Sequence, residues 1–341
     1  MLSSGRLSVL ALTPGAGVPS ARFRWQQYVG ELRRSGLDAS EIPSRAGAFA
    51  PGARGLRPLW LAGSLAENFA RVLRSNRHDL RFLQRPLIAT LRTWEPLLRR
   101  PFVFDVDDAI FLGPRGGSAD RIARSAAMTL CGNAFLAEHF SRHGRVEVLP
   151  TAVDTARFTL RAAPLPSRPV IGWSGTSSNF RYLHDIEPAL LKLLKSVPDA
   201  VFKVVSDRQP EFRLLPPGQV LYERWTPERE VAVLHEFTVG LMPLEDSLWA
   251  RGKCSFKMLT YMAVGLPVVV SPVGMNAEVL AQGPCGLPAS TTDEWVDAMS
   301  FLLLDDAMAV RMGRLGRRIV ETHYAQNTVA PRLARLLRSV A

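Results

Sequence analysis

The stretch Arg251-Gly-Lys-Cys-Ser-Phe-Lys-Met-Leu-Thr-Tyr-Met-Ala-Val-Gly-Leu-Pro-Val-Val-Val-Ser-Pro-Val-Gly274 decides the fold class. Phe256, Leu259, Tyr261, Met262 and Ala263 recur at helical spacing and supply an apolar face, and Gly265 is placed to end that helix. After the Gly-Leu-Pro corner, Val268–Val270 has the unbroken apolar character of a strand covered on both sides. A helix turned tightly into a buried strand is half of a nucleotide-binding α/β unit. Lys253 and Lys257 stand four apart at the expected helix start, where they can share one side. Cations there oppose the helix dipole, which a bound phosphate explains; the alternative is two solvated surface lysines. The chain has 42 basic residues but only five lysines, which weights the reading toward phosphate contact.

The same alternation runs outward in both directions. Strands are expected at Leu7–Leu12, Leu80–Leu83, Pro101–Val106, Ala127–Cys131 and Val146–Leu149, with helices near residues 22–35, 61–75, 88–99, 119–125 and 133–143. A Pro-, Ala- and Arg-rich stretch, Pro150–Pro169, lacks periodicity and reads as a linker. Strands at Val170–Trp173, Ala200–Val205 and Val239–Met242 then alternate with helices near 183–197 and 228–235, and helices near 292–304, 307–321 and 326–340 close the chain. This pattern predicts two mostly parallel sheets flanked by helices, with ligands at the carboxyl ends of the strands. The expected domains are residues 1–160 and 161–325, with 326–341 packing back on the first.

Length and composition agree. A chain of 341 residues suits two domains, and 47% hydrophobic with 21% charged residues is the balance of a soluble globular protein. The net charge of +11 fits an acidic partner, or equally an arginine-rich codon bias. No nucleic-acid motif accompanies the charge, so nucleic acid is excluded as a partner. Three widely spaced cysteines, Cys131, Cys254 and Cys285, argue for a reducing compartment and against a disulfide framework or zinc site. Met1–Ala21 is weighed as a signal peptide and set aside, because Leu7–Leu12 is short for one and suits a first strand. No apolar run is long enough to span a membrane.

Several residues are candidates for chemistry. In Gly172-Trp-Ser-Gly-Thr-Ser-Ser-Asn-Phe-Arg181, small residues after a strand can present amides to a diphosphate, with Arg181 adding charge, or form an ordinary turn. Asp105-Val-Asp-Asp108 follows a strand and admits four readings: a haloacid-dehalogenase-type phosphatase motif, a Mg²⁺-binding Asp-x-Asp of a GT-A transferase, carboxylates orienting an acceptor hydroxyl, or caps of the following helix. Arg22 and Arg24 bind an anionic group or sit on the surface of the first helical turn. His139 and His143 are at i and i+4 without a Glu or Cys partner in a zinc pattern, and read as a solvated helix face. No Gly-x-Ser-x-Gly elbow or Walker loop is present.

These features together resemble the family 4 glycosyltransferases. Leu149-Pro-Thr-Ala-Val-Asp154 resembles the family's Pro-Asn-Gly-Val-Asp linker motif, Ile171-Gly-Trp-Ser-Gly175 its second-domain strand, and the stretch from Arg251 to Gly274 its donor helix and following strand. Asp105-Val-Asp-Asp108 and Arg251-Gly-Lys-Cys-Ser-Phe-Lys257 look like a bacterial branch. The resemblance implies a GT-B fold, two Rossmann-like domains facing across a cleft, with a nucleotide sugar bound by the second and an acceptor by the first. It implies donor contacts from Gly175, Thr176, Lys253, Ser255, Lys257 and Glu278, and acceptor contacts from Arg22, Arg24, Asp107 and Asp108. Lys257, Arg181 and Asp107 are the implied catalytic residues, in a retaining transfer with no obligatory metal and no cofactor besides the donor co-substrate.

The expected acceptor is a glycan or lipid-linked molecule of the cell envelope. The expected location is the cytoplasm, with an anionic membrane surface reached through Arg71, Arg74, Arg77, Arg81, Arg85, Arg92, Arg99 and Arg100. The sequence departs from the family's Glu-x7-Glu pair, whose positions are Gly252 and Thr260 here. Asp107-Asp108 stand where many members have His-Asp. A catalytically silent GT-B-like nucleotide- or glycan-binding protein is therefore the alternative.

Overall fold

The computed structural model describes residues 6–15, 18–113, 115–162 and 167–341. Ala16 and Gly17, between the expected first strand and first helix, residues 163–166 of the expected linker, and the first five residues of the segment weighed as a signal peptide lie outside the described residues. The chain forms two compact units. The first comprises Met1–Ala152, Arg251–Cys254 and Gln326–Ala341; the second comprises Val153–Ala250 and Ser255–Ala325.

The first unit runs β1 (Leu7–Thr13), α1 (Pro19–Arg24), α2 (Val29–Arg34), β2 (Leu37–Pro43), α3 (Arg57–Ser75), β3 (Leu80–Gln84), β4 (Phe102–Val106), α4 (Gly117–Ser125), β5 (Met128–Cys131), α5 (Ala134–Phe140) and β6 (Val146–Val148). Its sheet has the order β2-β1-β3-β4-β5-β6, and every pairing is parallel. Alternate strand residues serve opposite faces. Val9, Ala11, Phe82 and Val103 meet Trp25, Tyr28 and Leu32 on one side. Leu83, Phe102 and Phe104 meet Val72, Ile122 and Phe140 on the other.

The second unit runs β7 (Val170–Ser174), α6 (Phe180–Asp185), α7 (Glu187–Ser196), β8 (Val201–Ser206), β9 (Val220–Arg224), α8 (Glu230–His235), β10 (Val239–Met242), α9 (Leu248–Arg251), α10 (Phe256–Ala263), β11 (Val268–Val270), α11 (Met275–Leu280), β12 (Gly286–Pro288), α12 (Thr292–Leu304) and α13 (Asp306–Ile319). Arg251, the last residue of α9, already belongs to the first unit. The sheet is again six-stranded and parallel, ordered β12-β11-β10-β7-β8-β9. The strand order reverses between β7 and β10, where α/β sheets bind ligands. A π-helical turn, Val320–Tyr324, leads into α14 (Gln326–Arg338), which returns to the first unit and buries Val329, Ala330, Leu333 and Leu337 on the face of Trp25 and Tyr28.

Three expectations are corrected. Residues 88–99 form no helix: Ile88 bridges Leu91, Thr90 has φ 65°, and only a short 3-10 turn, Glu95–Leu97, follows. The buried Glu95 carboxylate accepts the Leu87 and Thr93 amides, doing for this loop what helical hydrogen bonds would have done. The expected helix at 22–35 is two helices separated by a 3-10 turn, Gln26–Tyr28. Strands β2, β9 and β12 were not expected from the sequence.

Candidate functional site

In the second unit, two strand glycines let aromatic rings lie flat on the sheet. A Cβ on Gly172 would fall 2.0 Å from the Phe237 ring, and one on Gly240 would fall 2.6 Å from the Tyr261 ring. Tyr261 on α10 is fully buried, and its hydroxyl accepts the Ser174 amide at 2.8 Å. That bond fixes α10 against the carboxyl end of β7. Lys257 lies one helical turn earlier on the same face, so its stem crosses Gly175: a Cβ there would meet Lys257 Cε at 2.6 Å. The Lys257 Nζ sits 5.8 Å from the centroid of the Trp173 ring. The structure thus brings together two of the expected residues, Gly175 and Lys257, at the point where the strand order reverses.

The other expected donor residues fall as follows. Thr176 is exposed in the turn after β7, its hydroxyl 2.9 Å from that of Ser178. Asp207, after β8, orders this turn by accepting the Ser177 amide at 2.7 Å and hydroxyl at 2.8 Å. Burial opposes ionisation of Asp207, but the Ser177 donors outweigh it and hold the carboxyl below its ordinary value. Arg181, on α6, donates to Glu245 and to the Tyr182 hydroxyl, both at 2.7 Å. Tyr182 and Glu245 also line a pocket of ≈ 380 Å³ with Pro243, Asp246, Ser271 and Trp295, at the ends of β10 and β11. Arg181 therefore stands at the switch point, opposite a carboxylate.

The Ser255 side chain, expected among the donor contacts, is turned inward. It is 2% exposed, adopts φ 48°, and donates to Asn276 Oδ1 at 2.7 Å, tying the start of α10 to α11. This left-handed residue also breaks the helical register before α10. Lys253 and Lys257 consequently share no helix face, and Lys253 belongs to the first unit. Glu278 is exposed on α11. Of the positions where the family carries glutamates, Thr260 is buried and donates to the Lys257 carbonyl at 2.8 Å. Gly252 packs so closely on Ala109 that a Cβ would fall 2.6 Å from that residue's own Cβ.

The first unit separates the three aspartates. Asp105 is fully buried and pairs with Arg24, whose Nη1 also donates to the Leu149 carbonyl at 2.6 Å. Burial opposes charge on Arg24, and Asp105 more than restores it, holding the guanidinium above its ordinary range. Arg24 is thus an internal strut and not the acceptor contact expected of it. Arg22 is half-buried, its guanidinium 4.2 Å from the centroid of Phe23.

Asp107 and Asp108 share Arg85, which the sequence reading assigned to a membrane-facing set and not to this site. Arg85, at the end of β3 with φ 58°, donates Nε to Asp107 at 2.5 Å and Nη2 to Asp108 at 2.6 Å. Burial raises both carboxyls; Arg85 overcomes it at Asp107, which is held below its ordinary value. Arg85 and Lys253 only partly offset it at Asp108, which stays raised. Neither aspartate caps a helix, since a 3-10 turn, Ile110–Leu112, follows and α4 begins only at Gly117.

The segment Arg251–Cys254 is seated beside them. Asn133 donates to the Arg251 and Lys253 carbonyls at 3.1 and 3.0 Å, and Cys254 Sγ donates to the Asp107 carbonyl at 3.1 Å. Next to Arg85, Gln84 is 2% exposed, and among the described residues neither its Oε1 nor its Nε2 has a hydrogen-bond partner.

Residues 168–305 match the family model described as glycosyl transferases group 1. No curated protein matches the sequence. Among solved structures, sucrose-phosphate synthase from Thermosynechococcus elongatus is 15% identical with a TM-score of 0.75, covering 97% of this chain and 98% of that one. HepE from Anabaena, in complex with UDP-glucose, is 14% identical with a TM-score of 0.70 over 97% of this chain and 100% of that one. WaaG, a glycosyltransferase involved in lipopolysaccharide biosynthesis, is 13% identical with a TM-score of 0.67, covering 96% and 99%. The chain has the GT-B fold, and its residues 168–305 are similar to the group 1 glycosyl transferases.

Proposed function

We propose that the protein is a retaining glycosyltransferase, moving a sugar from a nucleotide sugar held by the second unit to a glycan or lipid-linked acceptor recognised by the first. The observation that carries this reading is Lys257 laid over Gly175 at the switch point, inside the segment that matches the group 1 family model. A fixed cation beside strand-end amides stabilises the charge that develops on a departing nucleoside diphosphate, and preorganised charge of this kind usually dominates the catalysis. Lys257 and the Gly175–Thr176 amides hold the pyrophosphate, and Arg181 joins them when it exchanges Glu245 for the donor. Asp107, kept ionised by Arg85, orients the acceptor hydroxyl for attack on the face the leaving group vacates. Positive side chains serve where other transferases use a divalent ion, so transfer proceeds without metal.

HepE, described in complex with UDP-glucose, makes UDP-sugars the first donors to test. The experiment is a thermal-shift screen of UDP-, GDP- and ADP-sugars followed by donor hydrolysis and transfer assays. Turnover of one donor, lost with Lys257→Ala, supports the reading. Tight donor binding without turnover points to the nucleotide-binding alternative, for which Gly252 and Thr260 are the motive.

Among the described residues no helix is long and apolar enough to cross a membrane. The arginine set expected to meet a membrane surface is revised. Arg71 and Arg81 are 3% exposed; Arg71 donates to the Thr13 and Ile42 carbonyls and to Asn68, Arg81 donates to the His78, Arg99 and Pro101 carbonyls, and Arg85 holds the aspartates. A better surface lies around the start of α3, where Phe49, Leu56 and Leu59 are 60%, 57% and 75% exposed beside the exposed Arg54 and Arg57. Apolar side chains flanked by arginines suit an anionic bilayer and an acceptor presented from it. Sedimentation with acidic and neutral vesicles tests this, and Leu59→Asp is expected to abolish the acidic-vesicle pellet.

A further inference from the structure

The spacing of His139 and His143 lacked a third ligand in the sequence, and the fold supplies one. Asp120 on α4 faces α5 and the 3-10 turn Ser141–His143 that extends it. Its Oδ1 lies 2.8 Å from His139 Nε2 and 3.4 Å from His143 Nε2, and one donor atom from each residue lies within 4.8 Å of the others. We propose that Asp120, His139 and His143 form a binding site for one divalent cation of the zinc class, bridging α4 to α5.

Four observations support it. Donor atoms on a tetrahedral zinc ion, each about 2.0–2.1 Å from the metal, stand about 3.3–3.4 Å apart, which is the His143–Asp120 spacing and needs about half an ångström of opening at His139. The His139 ring is held in place, stacked on Phe111 at 3.5 Å and 5°, with Phe140 edge-on at 4.9 Å. Its freedom is therefore already restricted before an ion arrives. Side-chain exposures of 24%, 22% and 12% for His139, Asp120 and His143 leave an entry path without leaving the residues fully solvated. Two imidazoles and one carboxylate are a donor set for Zn²⁺, Co²⁺ or Ni²⁺, and a poor one for Mg²⁺ or Ca²⁺, which take oxygen ligands.

Three protein ligands leave a fourth position for water. The ion brings no chemistry to sugar transfer in this proposal; it clamps α4, which follows the Asp107–Asp108 segment in the chain, onto α5. The site is independent of the donor reading, since none of its residues is used there.

The test is titration calorimetry of the tag-free full chain with ZnCl2 at pH 7.5, together with the visible absorption of a Co²⁺ complex. One ion per chain is expected, with tetrahedral Co²⁺ bands, a raised melting temperature, and no comparable response to MgCl2. His143→Gln and Asp120→Asn are each expected to weaken zinc binding by about tenfold or more, while His323→Gln, a histidine remote in sequence, leaves it unchanged. Circular dichroism confirms that each variant is folded. Absence of saturable zinc binding to the wild-type chain, or binding that persists in the folded His139→Gln/His143→Gln double variant, would overturn the site.

Discussion

The Lys257 side chain occupies the space that a Cβ on Gly175 would need, its Cε 2.6 Å from that point, with two atoms of the Trp173 ring at 2.8 Å. Gly175→Ala must therefore displace a flexible lysine and also press on a buried indole. The flexible lysine yields most, so much of the cost falls on function: an ångström of displacement at a charge-stabilising group is expected to lower kcat/KM by about 10²-fold. Strain against Trp173 adds about 1–3 kcal/mol of destabilisation. Steady-state kinetics with the active nucleotide sugar and urea denaturation separate the two effects.

Removing the charge itself isolates the electrostatic part. Lys257→Ala is expected to reduce kcat by about 10²–10³-fold, with little change in melting temperature because the side chain is only half-buried. Turnover within twofold of wild type would take Lys257 out of the mechanism.

Arg24 and Asp105 make a fully buried pair, so breaking it leaves one charge stranded. Arg24→Met or Asp105→Asn is expected to cost about 3–5 kcal/mol in urea unfolding of the first unit. A loss under about 1 kcal/mol would contradict the ion pair.

The Asp107 and Asp108 carboxyls are shifted in opposite directions around Arg85. Asp107, depressed in the folded chain, contributes stability that is complete above the ordinary carboxylate range and is lost as pH falls through its lower folded value. Asp108, raised, takes up its proton first as pH falls, and its ionisation above that point works against the fold. Asp107→Asn is therefore expected to destabilise by about 1–3 kcal/mol at pH 7 and by less near pH 3. Asp108→Asn is expected to cost less than Asp107→Asn at pH 7. Urea midpoints across this pH range check both.

All three cysteines are buried. Burial pushes the Cys131 thiol up to about 12 and raises Cys254 and Cys285 as well, so the reactive thiolate is scarce at pH 8. A thiol reagent at that pH is expected to leave the native chain untouched and to label three sites in denaturant. Rapid labelling of folded protein, mapped to Cys254 by peptide mass, would show that the segment carrying it opens.

The central strands were legible because they are buried on both faces and read as apolar runs, as in Val268–Val270 and Phe102–Val106. The missed strands β2, β9 and β12 are all at sheet edges, and their mixed burial leaves no such run: Leu37–Pro43 alternates Leu, Asp, Ala and Ser before Glu, Ile and Pro. At the site, the meeting of Gly175 with Lys257 could be anticipated from two strand ends of one sheet. The capture of Asp107 and Asp108 by Arg85 could not, because it depends on a left-handed residue that no periodicity announces. Nor could the split between Lys253 and Lys257, which hinges on the φ of Ser255. Arg24 misled for a related reason: a guanidinium near a chain start looks solvent-bound until a partner, 81 residues later, draws it inside.

The return of α14 to the first sheet has a consequence for how the protein is made. The face carrying Trp25, Tyr28 and Leu37 is sealed by Val329, Leu333 and Leu337, residues synthesised only after the whole second unit. Until they emerge, the half synthesised first carries an open greasy flank, while the strands and helices of its sequel can already settle. Chains that terminate early, or are clipped before Gln326, should thus become clients of chaperones and proteases, although every residue in Met1–Ala152 is present.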